Sequence, residues 1–190
     1  MRYLNFKKFP YNLVILSTIG DGSCMFHAIL QGFNKTYIDG DTPERRNIVR
    51  KFRNNLSDLL GETMEDGKTC YEQLSRGELK DISKEVPEAS LENMKKALKT
   101  NSWGDQRYLE LISNQLDVDI FVINSYEKDV YFTGDYEIYY KNRDSVIILN
   151  TNNAHFETIG IKVNSETKTF FDKDNEIIKF LRTKMSLKNV

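Results

Sequence analysis

The scarcest residues in this chain are the ones that carry most protein chemistry: its 190 residues include 2 Cys, 2 His and 1 Trp. A four-ligand Cys/His zinc site would consume every Cys and His, and neither a C-x-x-C pair nor H-E-x-x-H is present, so no metal or other cofactor is expected. Proline is rare as well, at 3 residues against 10 Gly, which excludes collagen-like and proline-rich disordered chains. Nowhere does an apolar stretch approach the roughly 18 residues of a membrane-spanning helix. The apolar run from Leu13 to Leu16 is cut by Ser17 and Thr18 and is too short for a secretory leader. Charge of one sign is lacking too. With 27 basic and 28 acidic side chains the net charge is -1, which removes the electrostatic reason to expect nucleic acid or a membrane surface as partner. A nucleophilic Cys with a His base needs only one of each.

What is present describes a globular protein with 39% hydrophobic and 29% charged residues. A chain of this length buries about 70% of the surface it exposes when unfolded, and no repeat or linker divides it. One domain is expected over residues 1–190, with a core at about 13–163 and a closing helix at about 172–185. Free cysteines without a leader point to a reducing, cytoplasmic place of work; a Cys24–Cys70 disulfide is the competing reading. Lys (18), Asn (17) and Ile (16) dominate while Ala is down to 4, the composition of an AT-rich genome. That hints at a large DNA virus or an intracellular bacterium, and so at a host-pathogen effector in the host cytosol.

Gly61 to Thr69 (GETMEDGKT) imitates a phosphate-binding loop, but five residues rather than four separate the first glycine from the Gly-Lys pair, and Glu62, Glu65 and Asp66 are acidic. Nucleotide binding is therefore not expected. The pattern along the chain is helical first and strand-rich later. Leu13 to Ile19 reads as a strand, Cys24 to Phe33 as a helix too apolar all round for the surface, and Thr42 to about Leu60 as a helix capped by Thr42 with Pro43 at its first position. Shorter helices fit Cys70 to Leu74 and Leu91 to Leu98. Ser102 to Asp105 has capping-box spacing and opens a helix with Trp103, Leu109, Ile112 and Leu116 inward. Strands fit Val118 to Asn124, Val130 to Phe132, Ser145 to Asn150 and His155 to Val163, and Asp172 to Met185 fits a last helix. Residues 61–120 carry 8 basic and 13 acidic groups, a net of -5. Solvated helix faces explain such a segment, and so does a surface complementary to a basic partner.

Gly20-Asp21-Gly22-Ser23-Cys24 is the most informative segment. It puts Cys24 at a helix N-terminus, where unpaired N–H groups favour thiolate. Gly22 allows positive φ, so that loop N–H groups converge with that of Cys24 as in an oxyanion hole. A small buried cysteine capping a tight turn fits the same residues. His27, one turn on, shares the rigid helix with Cys24 and reads as a buried helical histidine. His155 opens the strand HFETIGI, and Glu157, two residues on, shares its face, where a carboxylate could orient the imidazole. A strand-edge His beside a solvent-facing Glu is the alternative. Cys70 lacks a glycine turn and reads as structural.

The run DGSCMFHAI at Asp21 to Ile29 resembles the catalytic-cysteine motif of the ovarian tumour (OTU) family of cysteine proteases. SWGDQRYLELISNQLDVDIFVI at Ser102 to Ile123 resembles the family's Trp-Gly helix and strand, and AHFETI at Ala154 to Ile159 its histidine strand, together covering about Ile19 to Ile161. The resemblance implies an α/β fold of α+β type, papain-like, with a small, mainly antiparallel sheet between helical layers. It also implies isopeptide hydrolysis that removes ubiquitin, polyubiquitin or a ubiquitin-like modifier from lysine by a monomer. Carried over by position, Cys24 is the nucleophile, His155 the general base and acid, Asp21 part of the oxyanion loop, and Trp103 a structural residue under the active-site strand. Family members often have Asp or Asn where this chain has Glu157, so Glu157, Asn153 or another acid is left as the group that orients His155. A catalytically weak ubiquitin-binding member of the fold, or an unrelated interaction protein, are the competing functions.

Overall fold

The computed structural model describes residues 2–4, 11–102, 104, 106–125, 129–131 and 140–185. Strands β1 (Arg2–Leu4), β2 (Leu13–Leu16), β3 (Asp119–Asn124), β4 (Asp129–Tyr131), β5 (Ser145–Thr151) and β6 (His155–Val163) form one sheet in the order β1-β2-β6-β5-β3-β4. Strand β7 (Glu166–Lys168) is added on β6 and β8 (Phe170–Phe171) on β5. Only β3 and β5 run parallel among the described pairs; the rest are antiparallel. Helices α1 (Cys24–Phe33), α2 (Lys35–Asp39), α3 (Thr42–Leu60), α4 (Cys70–Gln73), α5 (Leu79–Glu85), α6 (Leu91–Lys99) and α7 (Leu109–Leu116) precede β3, and α8 (Glu176–Lys184) follows the sheet.

Side-chain alternation along the central strands makes this a three-layer structure. Ile120, Val122, Val146 and Ile148 join a core with Met25, Phe26 and Ile29 of α1 and Leu56, Met94 and Ile112 of the helices behind it. Phe121, Ile123, Ile147, Leu149 and Ile159 face the other way, onto Ile177, Ile178 and Leu181 of α8. Each such aliphatic side chain stabilises the fold by about 1.5–3 kcal/mol relative to exposure. The α+β architecture with a mainly antiparallel sheet between helical layers is as expected. No described helix is long and apolar enough to cross a membrane.

Helix α1 is buried from Cys24 through Leu30, which its all-round apolar sequence implied. It lies so close to the sheet that a Cβ on Gly32 would stand 2.7 Å from Val146 Cγ1. Thr158 of β6 donates to the Ala28 carbonyl at 2.8 Å and ties the helix to the strand. Helix α3 is capped one residue earlier than expected. Asp41, not Thr42, accepts from Glu44 N–H at 2.9 Å, while Glu44 Oε2 accepts from Asp41 N–H at 2.8 Å; Pro43 is the second helical residue. The reciprocal pair satisfies two orphan donors, which a Thr42 cap could not. The capping box at Ser102 to Asp105, the packing of Trp103 and the strand end at Phe132 fall on residues outside the described ones.

Candidate active site

The cysteine half is built from α1, α3 and the turn between β2 and α1. Asp21 folds that turn on itself: its Oδ1 accepts from Ser23 N–H at 2.8 Å and its carbonyl from Cys24 N–H at 3.2 Å, while its own N–H donates to Ile19 at 3.1 Å. The expected convergence of these N–H groups on an oxyanion position is thus not formed in this state, because three of them bond within the loop. The reason for glycine at 22 also differs from the expected positive φ, which among described glycines occurs at Gly67 and Gly77 only. A Cβ on Gly22 would lie 1.7 Å from the Asn101 carbonyl oxygen, so only glycine lets the two segments touch.

Arg53, on the inner face of α3 and 3% exposed, holds those segments together. Its Nη1 donates to Ser23 Oγ at 2.6 Å and Gly22 O at 3.3 Å. Its Nε donates to Leu98 O at 3.0 Å, and its Nη2 to Ala97, Thr100 and Ser102 carbonyls at 2.6, 2.6 and 2.9 Å. The guanidinium stacks over Phe26, 4.6 Å from the ring centroid. Burial pulls the Arg53 pKa below its usual value, against the charges that surround it. The sequence reading passed over this residue, although Val49, Arg53, Leu56 and Leu60 share one helical stripe.

Behind the turn, Asp21 Oδ2 lies 3.4 Å from His27 Nε2 and 3.8 Å from Arg46 Nε. His27 is fully buried, as expected, and its Nδ1 is 2.7 Å from the Tyr37 hydroxyl. Burial pushes Tyr37 up to about 12 and His27 down, so the phenol keeps its hydrogen and the ring is neutral at ordinary pH. A cleft of about 540 Å³ opens onto Asp21, Ser23, His27, Arg46 and Asn101, on the wall of the turn that Cys24 does not line.

Cys24 opens α1 and is 7% exposed. Burial pushes its thiol above the ordinary 9.0, the charge of Asp21 adds to that, and main-chain hydrogen bonds from Phe156 and Met25 pull the other way. The expected helix-terminus preference for thiolate is therefore overridden by desolvation. The Phe156 contact sets the thiol against β6, one residue from His155. Cys24 and Cys70 are both free, so the disulfide reading fails. Cys70 packs at the edge of the helical core, its thiol raised by burial and by Glu110 and Glu62.

The histidine half is looser. His155 is the first residue of β6, half-buried, with Nε2 3.4 Å from Thr18 Oγ1 and no hydrogen bond to Cys24. Glu157 shares its face, as the strand period requires, but it is buried and ion-paired with Arg2 of β1, which also donates to Ser17 Oγ at 2.8 Å. Asn153 Oδ1 accepts from Asn124 at 3.4 Å. Neither expected partner bonds the imidazole. Among the described residues no group of three His, Cys, Asp or Glu side chains is placed to hold a metal.

A sequence model of the OTU-like cysteine proteases matches residues 19–156. A search of curated proteins finds no matching sequence. Among solved structures, an ovarian tumour (OTU) domain in complex with ubiquitin is similar at 20% identity and TM-score 0.56, over 93% of this chain and 84% of that one. An OTU deubiquitinase from Wolbachia pipientis wMel follows at 18% and 0.49, over 90% and 97%. The OTU protease of Taggert virus is similar at 13% and 0.49, over 88% and 98%. The first of these shows the same fold, and the match through the Cys24 turn to the first residues of β6 makes this chain a member of the OTU-like cysteine protease family.

Proposed function

We propose that the protein is a cysteine-type isopeptidase that removes ubiquitin, or a ubiquitin-like modifier, from lysine side chains. The observation that carries this reading is the seating of Cys24, at the start of a buried helix, against the main chain of Phe156, next to His155. Sγ attacks the modifier's C-terminal carbonyl carbon as His155 takes the thiol proton. The tetrahedral intermediate collapses to a thioester, breaking the C–N bond, and the lysine amine leaves with the proton from His155. Water then gives a proton to His155 and adds to the thioester, and Sγ departs with that proton. Loop N–H groups stabilise the oxyanion once the Cys24 N–H turns from the Asp21 carbonyl towards substrate, with Asp21 holding the turn.

Family membership supports a ubiquitin-related role, and a structure of the same fold carries ubiquitin. The exposed Glu62, Glu65, Asp66, Glu85 and Glu88 suit a basic partner such as a ubiquitin tail. A monomer acting in a reducing cytosol, that of a host cell if a virus or bacterium encodes it, fits the two free cysteines. A second reading, a weakly catalytic ubiquitin binder, draws on the unpaired Cys24 and His155 and the raised thiol. Turnover of a ubiquitin C-terminal amide separates the two. Cleavage that disappears in Cys24→Ala supports the hydrolase, and tight binding without cleavage by the native protein supports the binder.

A further inference from the structure

We infer that Thr18, rather than Glu157, is the positioning residue that orients His155. The inference rests on the hydrolase reading for its effect on turnover, but the contact itself is a property of the free protein. Thr18 leaves β2 beside the start of β6, and its hydroxyl donates to the Phe156 carbonyl at 2.5 Å. A hydroxyl has one hydrogen, so towards the imidazole Thr18 Oγ1 can only accept. The group facing it, 3.4 Å away, is His155 Nε2. That contact favours the Nε2–H tautomer of the neutral ring and so leaves Nδ1 without a hydrogen, the form a base needs. A contact of this length is long for a hydrogen bond, and catalytic contacts in a free enzyme commonly tighten when substrate binds.

Glu157 is withdrawn from the same task by Arg2. The β1–β2 pairing brings Arg2 over the sheet edge, where its guanidinium takes Glu157 Oε1 and Ser17 Oγ together. The carboxylate that strand spacing puts beside His155 is thus neutralised by a cation, and the hydroxyl stands at the ring instead. Arg2 and Glu157 act as a structural tie between β1 and β6.

Two readouts test this. In ¹⁵N-labelled native protein the neutral His155 ring, assigned by its loss in His155→Ala, is expected as the Nε2–H tautomer; the Nδ1–H tautomer overturns the inference. In turnover of a ubiquitin C-terminal amide, Thr18→Val is expected to lower kcat about fivefold to tenfold at unchanged KM, the loss of one hydrogen bond. Thr18→Ser should recover the native value, and Glu157→Gln should cost less than Thr18→Val. A native kcat in Thr18→Val, or a larger loss in Glu157→Gln, overturns it. If Thr18→Val does not fold, the tautomer of the native ring decides. Absence of turnover in the native protein counts against the hydrolase reading, while the tautomer still reads the Thr18 contact.

Discussion

The two halves of the candidate site are built to different standards. The Cys24 turn is clamped by Arg53, by the Asp21 carboxylate with its His27 and Tyr37 backing, and by the contact that Gly22 allows with Asn101. His155 sits at the first position of a strand with one hydroxyl beside its ring. The difference teaches where preorganisation resides in this molecule: several buried contacts fix the Cys24 turn, whereas the His155 ring meets one hydroxyl at 3.4 Å. The raised thiol belongs to the same picture: burial disfavours its charge, and no hydrogen bond joins it to His155.

The contrast can be broken at its loose end first. His155→Ala is expected to reduce kcat by roughly 10²- to 10⁴-fold while the thermal midpoint stays near native; a matching loss of stability would mean that His155 is structural. At the tight end, Arg53→Met leaves the Leu98, Thr100 and Ser102 carbonyls and the Ser23 hydroxyl without the donor that Arg53 supplies. A loss of about 3–5 kcal/mol in urea unfolding is expected from several buried acceptors left unsatisfied, at about 1–3 kcal/mol each; a loss below 1 kcal/mol would show that the turn is not held by Arg53.

The pH dependence of thiol chemistry sharpens the comparison. A pKa raised above 9.0 means less thiolate at neutrality. Iodoacetamide should therefore alkylate Cys24 slowly at pH 7 in the free protein, with a rate that keeps rising through the alkaline range. A rate already at its plateau at pH 7 would mark a preformed thiolate–imidazolium pair. A smaller effect is expected from Arg2→Ala, which takes the half-exposed partner from the buried Glu157 carboxylate and should cost about 1–3 kcal/mol in unfolding. A much larger cost would make β1 an integral support of the histidine half.

The elements that carry both halves were legible in sequence. A glycine turn running into ten residues of near-continuous apolar character gave α1 its bounds, Cys24 to Phe33, and a β-branched, alternating run after an Asn turn did the same for β6. Local signals went astray where two residues compete for one role, as Asp41 and Thr42 do at the cap of α3. They were silent where the partner is far along the chain. Arg53 looks like a surface arginine until the carbonyls of residues 97–102 come round to meet it. Thr18 and His155 are 137 residues apart, and Arg2 and Glu157 are 155 apart, joined only because β2 pairs with β6 and β1 with β2. The strand period correctly put Glu157 on the face of His155, but it could not reveal the arginine that claims it.

The most direct test of the central claim is reaction with ubiquitin carrying a C-terminal electrophile. Native protein is predicted to gain the mass of one ubiquitin, Cys70→Ala to do the same, and Cys24→Ala to gain none. An adduct that persists in Cys24→Ala and disappears in Cys70→Ala would contradict the assignment of Cys24 as the nucleophile.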